Sequence, residues 1–371
     1  MSKRHWVLFV VSILLFAGPA AAGEDCRAPA PVCAAQGAVF AVSSFDPLGS
    51  AVRVAPDLLV TNRHIVADET RAQVRLPDGR RLAAQVVASS YPGDLVLLRV
   101  AGLGPGPVLP SAQADLNSRL FTIGATGRGG QVRAFPEGQV LLLPAPGKPL
   151  ARLHHSAFSR PGHSGGALVD QSGRLIAIIA AGGEGRNEAI PARELTRLRA
   201  LSGPDHLAAH RRIGQAVRRC ARSREALQAR PAPIDDETAA ALVSACSQSA
   251  NRQDLELAGQ ALGRAGRYDL SAEILAQAVA RDPHAINSRL SLAVTLHLAR
   301  RYGEALPHLA WLLDILPDDP QVLRLAIQAG KWGGDPALAQ RALALLEQHH
   351  PAQAPAARGF LATPIPPPTP P

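Results

Sequence analysis

Lysine is almost absent from this basic chain. The lysines are Lys3, Lys148 and Lys331, so arginine supplies nearly all of the 39 basic residues that outweigh 30 acidic ones and give a formal charge of +9. Aromatic residues make up only 4% of the sequence, and none lies in residues 211–230, the densest basic stretch. Proteins that bind single-stranded nucleic acid stack bases on such aromatics. We therefore expect no nucleic-acid partner and interpret the stretch as a solvated helix face, with acidic lipid or nucleic acid as the alternative ligand.

Cysteine is scarce as well, and no CxxC pair is present. The four cysteines are Cys26, Cys33, Cys220 and Cys246. Without a CxxC pair, a zinc site or a thioredoxin-like redox site has no support. The even number and the spacing suggest two local disulfides outside the cytosol, Cys26–Cys33 and Cys220–Cys246. Four free buried thiols are the alternative.

The sequence also lacks an apolar run of about 20 residues, the length that spans a bilayer. The apolar run Trp6–Ala17 is shorter, follows Lys3-Arg4 and precedes the small residues Ala20–Ala22. This order is typical of a cleaved signal peptide. We predict a signal peptide at residues 1–22 and export to the periplasm or the outside of a bacterial-type cell. If the segment is retained instead, it would associate the protein with a membrane.

A glycine-rich loop, residues 160–168, presents a serine. Gly162, Gly165 and Gly166 surround Ser164, just before the apolar pair Leu168-Val169. Glycines permit backbone angles that other residues resist. Such a loop can therefore hold a nucleophile and aim backbone N–H groups at a developing oxyanion. A simple glycine-rich turn before a strand is the alternative.

Two upstream residues complete a catalytic pattern. His64 follows an apolar strand in residues 57–66, and Asp94 stands at the start of another apolar run. We expect the first strand to end at His64, which would hold the imidazole on a rigid element. The chain order His64, Asp94, Ser164 is the order of chymotrypsin-type enzymes.

Residues 37–203 otherwise read as many short strands separated by turns. The apolar or alternating segments are 39–42, 52–54, 58–61, 73–76, 82–87, 95–100, 120–123 and 139–143. Glycine- and proline-containing turns lie between them, and no helical period interrupts them. This regular pattern favours a β-sandwich or a β-barrel.

In its ordered motifs the chain resembles the trypsin-like serine proteases, most closely their HtrA/Deg branch. The motifs are Gly49-Ser50, Leu59–Val66, Gly93–Leu98, Phe121–Gly124, Pro161–Gly166 and Ala189–Pro191. The resemblance implies two six-stranded β-barrels with the catalytic residues at their junction. It implies His64 as general base, Asp94 as its orienting acid, Ser164 as nucleophile, and the N–H groups of Gly162 and Ser164 as the oxyanion hole. It implies no cofactor. His163 departs from the Asn or Asp more usual beside the nucleophile, and we expect its side chain to point away from Ser164.

The substrate pocket is less clearly marked. We expect it to be lined by Phe158, Ile179 and Ala180, and no acid stands six residues before Ser164. A preference for Lys or Arg would lack its counter-charge, so a small or medium apolar side chain fits better. His154 and His155 lie on a predicted strand without a third ligand nearby, and we expect no metal site.

After residue 203 the pattern becomes helical. A connector at residues 204–250 precedes a segment, residues 251–354, in which Asp282-Pro283, Leu316-Pro317 and His350-Pro351 recur at the same interval. The interval of 34 residues is that of tetratricopeptide repeats. The segment resembles three such repeats in an all-α solenoid, with a plain helical bundle as the alternative. Residues 355–371 form a proline-rich tail, and we expect its end, Pro364–Pro371, to be extended or disordered.

Two functional hypotheses follow, one enzymatic and one not. In the first, an exported serine endopeptidase cleaves protein or peptide substrates through an acyl-enzyme, and the repeats recruit a substrate or protein partner. In the second, the protease-like domain is an inactive scaffold or adaptor in the cell envelope. We expect the concave face of the repeats to present Arg289, Arg324 and Gln328 to the partner. We also expect a chain ending near residue 203 to retain cleavage of short peptides.

Overall fold

The computed structural model describes residues 26–364, except residues 128, 184, 230–233 and 250. The predicted signal peptide and the last seven residues lie outside this part. Within it, no helix combines the length and the apolarity needed to cross a membrane. The four cysteines form the two expected disulfides, Cys26–Cys33 and Cys220–Cys246.

The first half of the chain begins with a short helix, α1 (Ala30–Ala35), and a closed antiparallel barrel. Its strands are β1 (Val39–Ser43), β2 (Gly49–Ala55), β3 (Leu58–Thr61), β4 (Arg71–Arg75), β5 (Arg81–Val87) and β6 (Val96–Val100). They pair in the order β1-β2-β3-β6-β5-β4, and β1 closes the barrel against β4. Because side chains alternate along a strand, Ala72 and Val74 of β4 point into the core while Arg71 and Gln73 remain outside.

A second barrel follows. Its strands are β7 (Arg119–Thr126), β8 (Gln131–Ala134), β9 (Gly138–Leu142), β10 (Leu153–His155), β11 (Ala167–Asp170), β12 (Leu175–Ala181) and β13 (Asn187–Pro191). Six of them close through pairing of β11 with β7, and β8 extends outward as the hairpin partner of β7. A shared apolar core joins Val52 and Val60 of the first barrel to Ile123 and Ala167 of the second. The predicted double six-stranded barrel is thus confirmed.

Helices form the rest of the described chain. A short helix, α2 (Arg63–Val66), interrupts the first barrel, and α3 (Glu194–Ala200) follows the second. The later helices are α4 (Leu207–Gln228), α5 (Asp236–Gln248), α6 (Arg252–Arg264), α7 (Tyr268–Arg281), α8 (Ile286–Leu298), α9 (Tyr302–Ile315), α10 (Pro320–Gly333), α11 (Pro336–His349) and α12 (Ala354–Ala362). Side chains of Asp235, Asn251, Asp319 and Asp335 accept backbone N–H groups and so cap α5, α6, α10 and α11.

Three helix pairs repeat at a constant interval. Their first helices begin at residues 252, 286 and 320, and their second helices at 268, 302 and 336, each step being 34 residues. The turn within each pair has a left-handed residue at the same point: Gly266, Arg300 and Gly334 have φ of 76°, 58° and 82°. The period seen in the sequence is therefore also a period of the backbone.

Two features of this half differ from what the sequence suggested. Residues 354–362, most of which fall in the predicted tail, form α12 and place Phe360 against Trp332, with ring centroids 5.2 Å apart. Of the end that we expect to be extended, residues 365–371 lie outside the described residues. Arg289 is not presented on an open concave face. Its guanidinium lies 4.3 Å from the Trp311 ring and donates to the Pro283 carbonyl, so internal packing holds it. Arg324, by contrast, is exposed.

The helical half docks on the barrels through a buried polar cluster. Glu188 of β13, only 1% exposed, contacts Arg152 at 3.1 Å and also pairs with Arg252 of α6. Arg252 further bonds Glu256 at 3.0 Å. On the same side the Arg152 backbone N–H donates to Asp282 at the end of α7, at 3.0 Å. Charges removed from water in this way require partners, so the cluster fixes where α6 and α7 sit on the second barrel.

Candidate active site

His64 lies on α2, not at the end of a strand as expected. Strand β3 stops at Thr61, and the chain turns into the short helix, which places His64 one residue after its start. The Asn62 side chain donates to the Asp94 carbonyl at 2.9 Å, and the Arg63 N–H donates to the same carbonyl at 3.3 Å. These bonds tie the helix to the chain segment before β6. His64 is therefore anchored to the segment that carries Asp94.

The structure brings His64 and Asp94 together. Asp94 Oδ2 lies 2.7 Å from His64 Nδ1, and Asp94 Oδ1 accepts the His64 backbone N–H at 2.9 Å. Burial alone would lower the pKa of His64, but the charge of Asp94 and its hydrogen bond outweigh burial and raise that pKa above its ordinary value. Burial would likewise raise the pKa of Asp94, yet His64 and Arg152 hold it below its ordinary value. With Nδ1 donating to Asp94, Nε2 is left to accept a proton.

Ser164 sits in a loop whose glycines are required. Gly162 and Gly165 have φ of 97° and 82°, the left-handed region that other residues avoid. A Cβ on Gly165 would also overlap the Ser50 carbonyl and the Thr61 hydroxyl. Among the backbone hydrogen bonds of the described residues, the N–H groups of Gly162 and Ser164 donate to no acceptor. Both N–H groups are therefore available to an acceptor on a bound molecule.

The hydroxyl of Ser164 is not bonded to His64 in this structure. Among the described residues, the Ser164 hydroxyl donates instead to the Ala180 carbonyl, at 3.5 Å. Catalytic hydrogen bonds in unliganded enzymes are often long and tighten only when substrate binds. The loop is nevertheless fixed beside the first barrel, because the Ser50 N–H donates to the Ser164 carbonyl at 2.7 Å.

Ser50 is a site residue that sequence reasoning missed. It is fully buried where β2 meets the glycine-rich loop. Its hydroxyl donates to the Gly162 carbonyl at 2.7 Å and accepts the Ala125 N–H at 2.8 Å. Ser50 thus holds both the backbone next to the oxyanion donors and strand β7 of the second barrel. The motif Gly49-Ser50 was visible in the sequence, but nothing local showed which groups the hydroxyl would reach.

An aromatic cluster flanks the loop. His163 is fully buried and its ring packs 4.3 Å from Phe135, so it points away from Ser164 as expected. Burial, with the nearby charge of Arg160, lowers the pKa of His163 to about 4. Phe158 stacks on Phe135 with centroids 5.4 Å apart and remains 44% exposed. An apolar substrate side chain could therefore contact Phe158.

The other expected pocket residues differ in orientation. Ile179 packs its side chain among the core residues of the second barrel, so its part in the site is through its backbone. Its carbonyl accepts the Gly165 N–H at 2.8 Å, and its N–H donates to the Gly166 carbonyl at 2.9 Å. Ala180 is buried beside the hydroxyl of Ser164.

The predicted strand histidines belong to the domain contact. His154 is buried between Glu188, at 3.9 Å, and Asp282, at 3.7 Å. Burial is the main cause that lowers the pKa of His154, and burial together with His154 lowers that of His155 to about 3. Within the described residues, no group of three or more His, Cys, Asp or Glu side chains could hold a metal ion.

The connector helix α4 reaches the rear of the site. Its His210 Nδ1 lies 3.2 Å from a guanidinium nitrogen of Arg63, the neighbour of His64. Arg63 is 1% exposed and also donates to the carbonyls of Ser89 and Tyr91, at 3.2 and 3.0 Å. Arg63 therefore links α4 to α2 and to the segment that leads to Asp94. Sequence reasoning assigned no such role to either residue.

Comparison with known proteins gives the same picture for the first half. Residues 49–178 match the family described as the trypsin-like peptidase domain. The mitochondrial serine protease HTRA2 of Bos taurus is 33% identical over 139 residues, which are 35% of this chain and 30% of that protein. The periplasmic serine endoprotease DegP of Escherichia coli (strain K12) is 30% identical over 142 residues, 36% of this chain and 30% of its own length. The chain thus spans about a third of the length of these relatives, and its similarity to them lies in the barrel half.

Solved structures of similar proteins cover the same half. The HtrA-type protease AlgW with tripeptide is 27% identical and covers 46% of this chain and 61% of its own, with a TM-score of 0.41. The Rv3671c protease in its inactive form is 24% identical and covers 47% of this chain and 97% of its own, also with a TM-score of 0.41.

Proposed function

We propose that this protein is a serine endopeptidase that cleaves peptide bonds in protein substrates through an acyl-enzyme. The observation that carries the proposal is the pair of hydrogen bonds between His64 and Asp94. Beside this pair, a loop presents Ser164 together with two N–H groups that have no acceptor among the described residues. A histidine held by a buried carboxylate is the general base that such a nucleophile needs. The match of residues 49–178 to a peptidase family supports the same reading.

Each proposed group has one task. Ser164 Oγ attacks the substrate carbonyl while His64 Nε2 takes its proton, and Asp94 stabilises the imidazolium that forms. The N–H groups of Gly162 and Ser164 hold the oxyanion, where loss of one donor typically costs about 3 kcal/mol of barrier. His64 then protonates the departing amine, and water, deprotonated by His64, releases the acyl group. No cofactor or metal takes part in these steps.

The helical half has a supporting role in this proposal. Its 34-residue period and paired helices support tetratricopeptide repeats, which stack into a curved surface suited to binding a protein partner or an extended substrate. Arg324 and Gln328 stand on the first helix of the last pair, where Arg324 is exposed. We place the partner surface there. Nothing among the described residues favours the inactive-scaffold alternative.

We also propose that the protein is exported to a bacterial periplasm or beyond. The disulfides Cys26–Cys33 and Cys220–Cys246 support an oxidising compartment. Non-reducing peptide mapping of protein purified natively from cells would find both bridges. Four alkylatable thiols in that protein would contradict the compartment.

The test of the catalytic proposal is reaction with a fluorophosphonate probe. We expect the full chain to label at Ser164 and to digest casein, and we expect Ser164→Ala and His64→Ala to do neither while keeping the wild-type circular dichroism spectrum. Ser156→Ala is the matched control, because Ser156 is exposed and bonds only the backbone of Gln139. Casein digestion by Ser164→Ala at the wild-type rate would overturn the assignment.

A further inference from the structure

A polar cavity lies where the two barrels meet, next to the glycine-rich loop. Its volume is about 280 Å³. One wall is the outer face of β1, β4 and β5, and the other is the turn at Gly129 and Gly130 between β7 and β8. Gly130 has φ of 61°, and a Cβ there would press on Ala41, so the turn approaches the first barrel as closely as it can.

Two arginines line this cavity, and neither has a partner among the described residues. Arg75 of β4 and Arg81 of β5 are direct cross-strand neighbours. Like charges placed opposite each other on two strands destabilise the pair. Among the described residues no carboxylate lies within ion-pair distance of either guanidinium, and neither makes a side-chain hydrogen bond. The acid in the adjoining loop, Asp46, accepts the Leu48 N–H at 3.2 Å.

The cavity is joined to the catalytic loop through one side chain. Leu48 lines the cavity and also packs against Gly162, where an added Cβ would lie 3.1 Å from Leu48 Cδ2. Ala180 and Phe158, which we assign to the acyl half of the substrate, do not line this cavity. We therefore assign the cavity to the half that leaves as the new amine.

We propose that Arg75 and Arg81 form a subsite that binds a carboxylate of the leaving-group half of the substrate. This inference rests on the proposed function and gives it a substrate class, peptides with an acidic group shortly after the cleaved bond. A guanidinium pairs with a carboxylate through parallel hydrogen bonds, and two of them facing one cavity relieve their mutual repulsion when the anion is seated. The carboxylate comes either from an Asp or Glu side chain or from the end of the substrate chain.

The first experiment compares matched peptides on the full chain. Fluorogenic peptides share one sequence and differ at a single position, where one peptide of each pair has Glu and the other has Gln. The varied position is each of the first four after the cleaved bond in turn, a span of about 13 Å in extended form. At one of these positions we expect kcat/KM to favour Glu over Gln by about tenfold at low salt, with a smaller ratio at high salt. Peptides that end there as free acid or as amide separate a chain-terminal carboxylate from a side chain.

Variants then assign the effect to the arginines. Arg75→Gln and Arg81→Gln should each bring the Glu-to-Gln ratio close to 1. Arg71→Gln is the matched control. Arg71 is exposed on the same strand and carries the same charge but does not line the cavity, so its loss should not change the ratio. A ratio near 1 at all four positions in the wild type, or a ratio that survives both cavity variants, overturns the subsite.

A binding measurement separates this inference from the proposed function. Calorimetric titration measures the affinity of the full-length Ser164→Ala variant for the peptide that follows the cleaved bond, in its Glu and Gln forms. This measurement needs no turnover. We expect the Glu peptide to bind about tenfold more tightly, and Arg75→Gln in the same background to abolish the difference. If the wild type cleaves nothing but this difference is found, the endopeptidase proposal fails and the anion subsite stands. If Glu and Gln peptides bind equally, the subsite fails whatever the activity.

Discussion

At the scale of single residues, we expect the contact between His64 and Asp94 to set the pH range of activity. Catalysis needs neutral His64, so kcat/KM should rise with pH through the His64 pKa, which Asp94 holds above the ordinary value of about 6.5. Asp94→Asn removes the charge that favours the protonated ring. We expect the midpoint to move to lower pH, and the plateau to fall by several orders of magnitude because the tautomer is no longer fixed. Peptide hydrolysis measured from about pH 5 to 9, which covers the titration range of histidine, reports both the midpoint and the plateau.

The matched control for this change is Asp57→Asn. Asp57 is an exposed carboxylate paired with Arg99 at 2.9 Å. Its loss should leave both the midpoint and the plateau in place. An unshifted midpoint in Asp94→Asn would show that another group titrates.

Ser50 provides a second prediction at this scale. Ser50→Ala removes the hydroxyl that holds the Gly162 carbonyl and the Ala125 N–H. We expect kcat to fall about tenfold or more with little change in KM, because the displaced oxyanion donors act in the transition state. The free energy of unfolding should fall by about 1–3 kcal/mol, the cost of leaving buried polar groups without partners.

The control is Ser118→Ala, which should change neither kinetic constant. The Ser118 hydroxyl is partly buried and bonds only Asp115 in a turn. Equal kcat in wild type and Ser50→Ala would remove Ser50 from the site.

The residues that sequence reasoning identified are those with a local signature. Ser164 stands among glycines and Asp94 at the start of an apolar strand, and the structure places His64 next to Asp94. Ser50 and His210 could not be found in this way, because their partners lie 112 and 147 residues away along the chain. Their roles depend on how the two barrels and α4 pack, which no short pattern encodes.

At the scale of elements, the repeats contain one backbone irregularity that can be tested. Arg300 has φ of 58° at the turn where the first and third pairs have Gly266 and Gly334. A non-glycine residue in this left-handed region costs about 1–2 kcal/mol. The Arg300 side chain is exposed. We therefore expect Arg300→Gly to stabilise the helical half by about 1 kcal/mol, measured by urea unfolding followed by circular dichroism.

The reverse substitution is the counterpart. Gly334→Ala should destabilise the same transition by about 1 kcal/mol, because alanine meets the left-handed strain that glycine avoids. A Cβ at Gly334 meets no atom within 4 Å, so backbone strain is the cause being measured. No gain in Arg300→Gly together with no loss in Gly334→Ala would contradict this explanation.

Most elements could be predicted, and the exceptions have local causes. The eight predicted strand segments of residues 39–143 each match a strand to within a residue or a few, and the connector predicted at residues 204–250 contains the helices α4 and α5. Strand β8 was not predicted because Gln131–Ala134 is short and half polar. The helix that carries His64 was missed since Ile65 and Val66 continue the apolar run of β3, and periodicity alone cannot show where a strand turns.

At the scale of the whole molecule, the contact between barrels and helices lay beyond sequence reasoning. Glu188, Arg152 and Arg252 come from separate parts of the chain, and nothing near them in sequence indicates that they share one buried cluster. Buried ion pairs contribute little net stability, but loss of one partner is costly, about 3–5 kcal/mol. Such a cluster therefore favours one docking geometry over others. The helical half is held against the barrel that carries Ser164.

These contacts change the expectation for a chain that ends near residue 203. Truncation there removes His210 from Arg63, and it removes Arg252 from Glu188. It also uncovers Ala67, just after α2, where α4 packs so closely that Gly214 has no room for a Cβ. We now expect the truncated protein, even with barrel-like circular dichroism, to label with fluorophosphonate at least about tenfold more slowly, because a small displacement of His64 is enough to slow catalysis.

A point variant tests the same link in the full chain, where folding of the barrel alone is not at issue. His210→Ala removes the acceptor for Arg63, so we expect slower labelling and a lower kcat with KM little changed. His210→Gln, which can still accept from the guanidinium, should recover much of the rate. His349→Ala, at an exposed histidine on α11, is the control that should match the wild type. If the truncated domain and His210→Ala both label at the wild-type rate, the helical half serves recruitment alone, and its packing against α2 has no part in positioning His64.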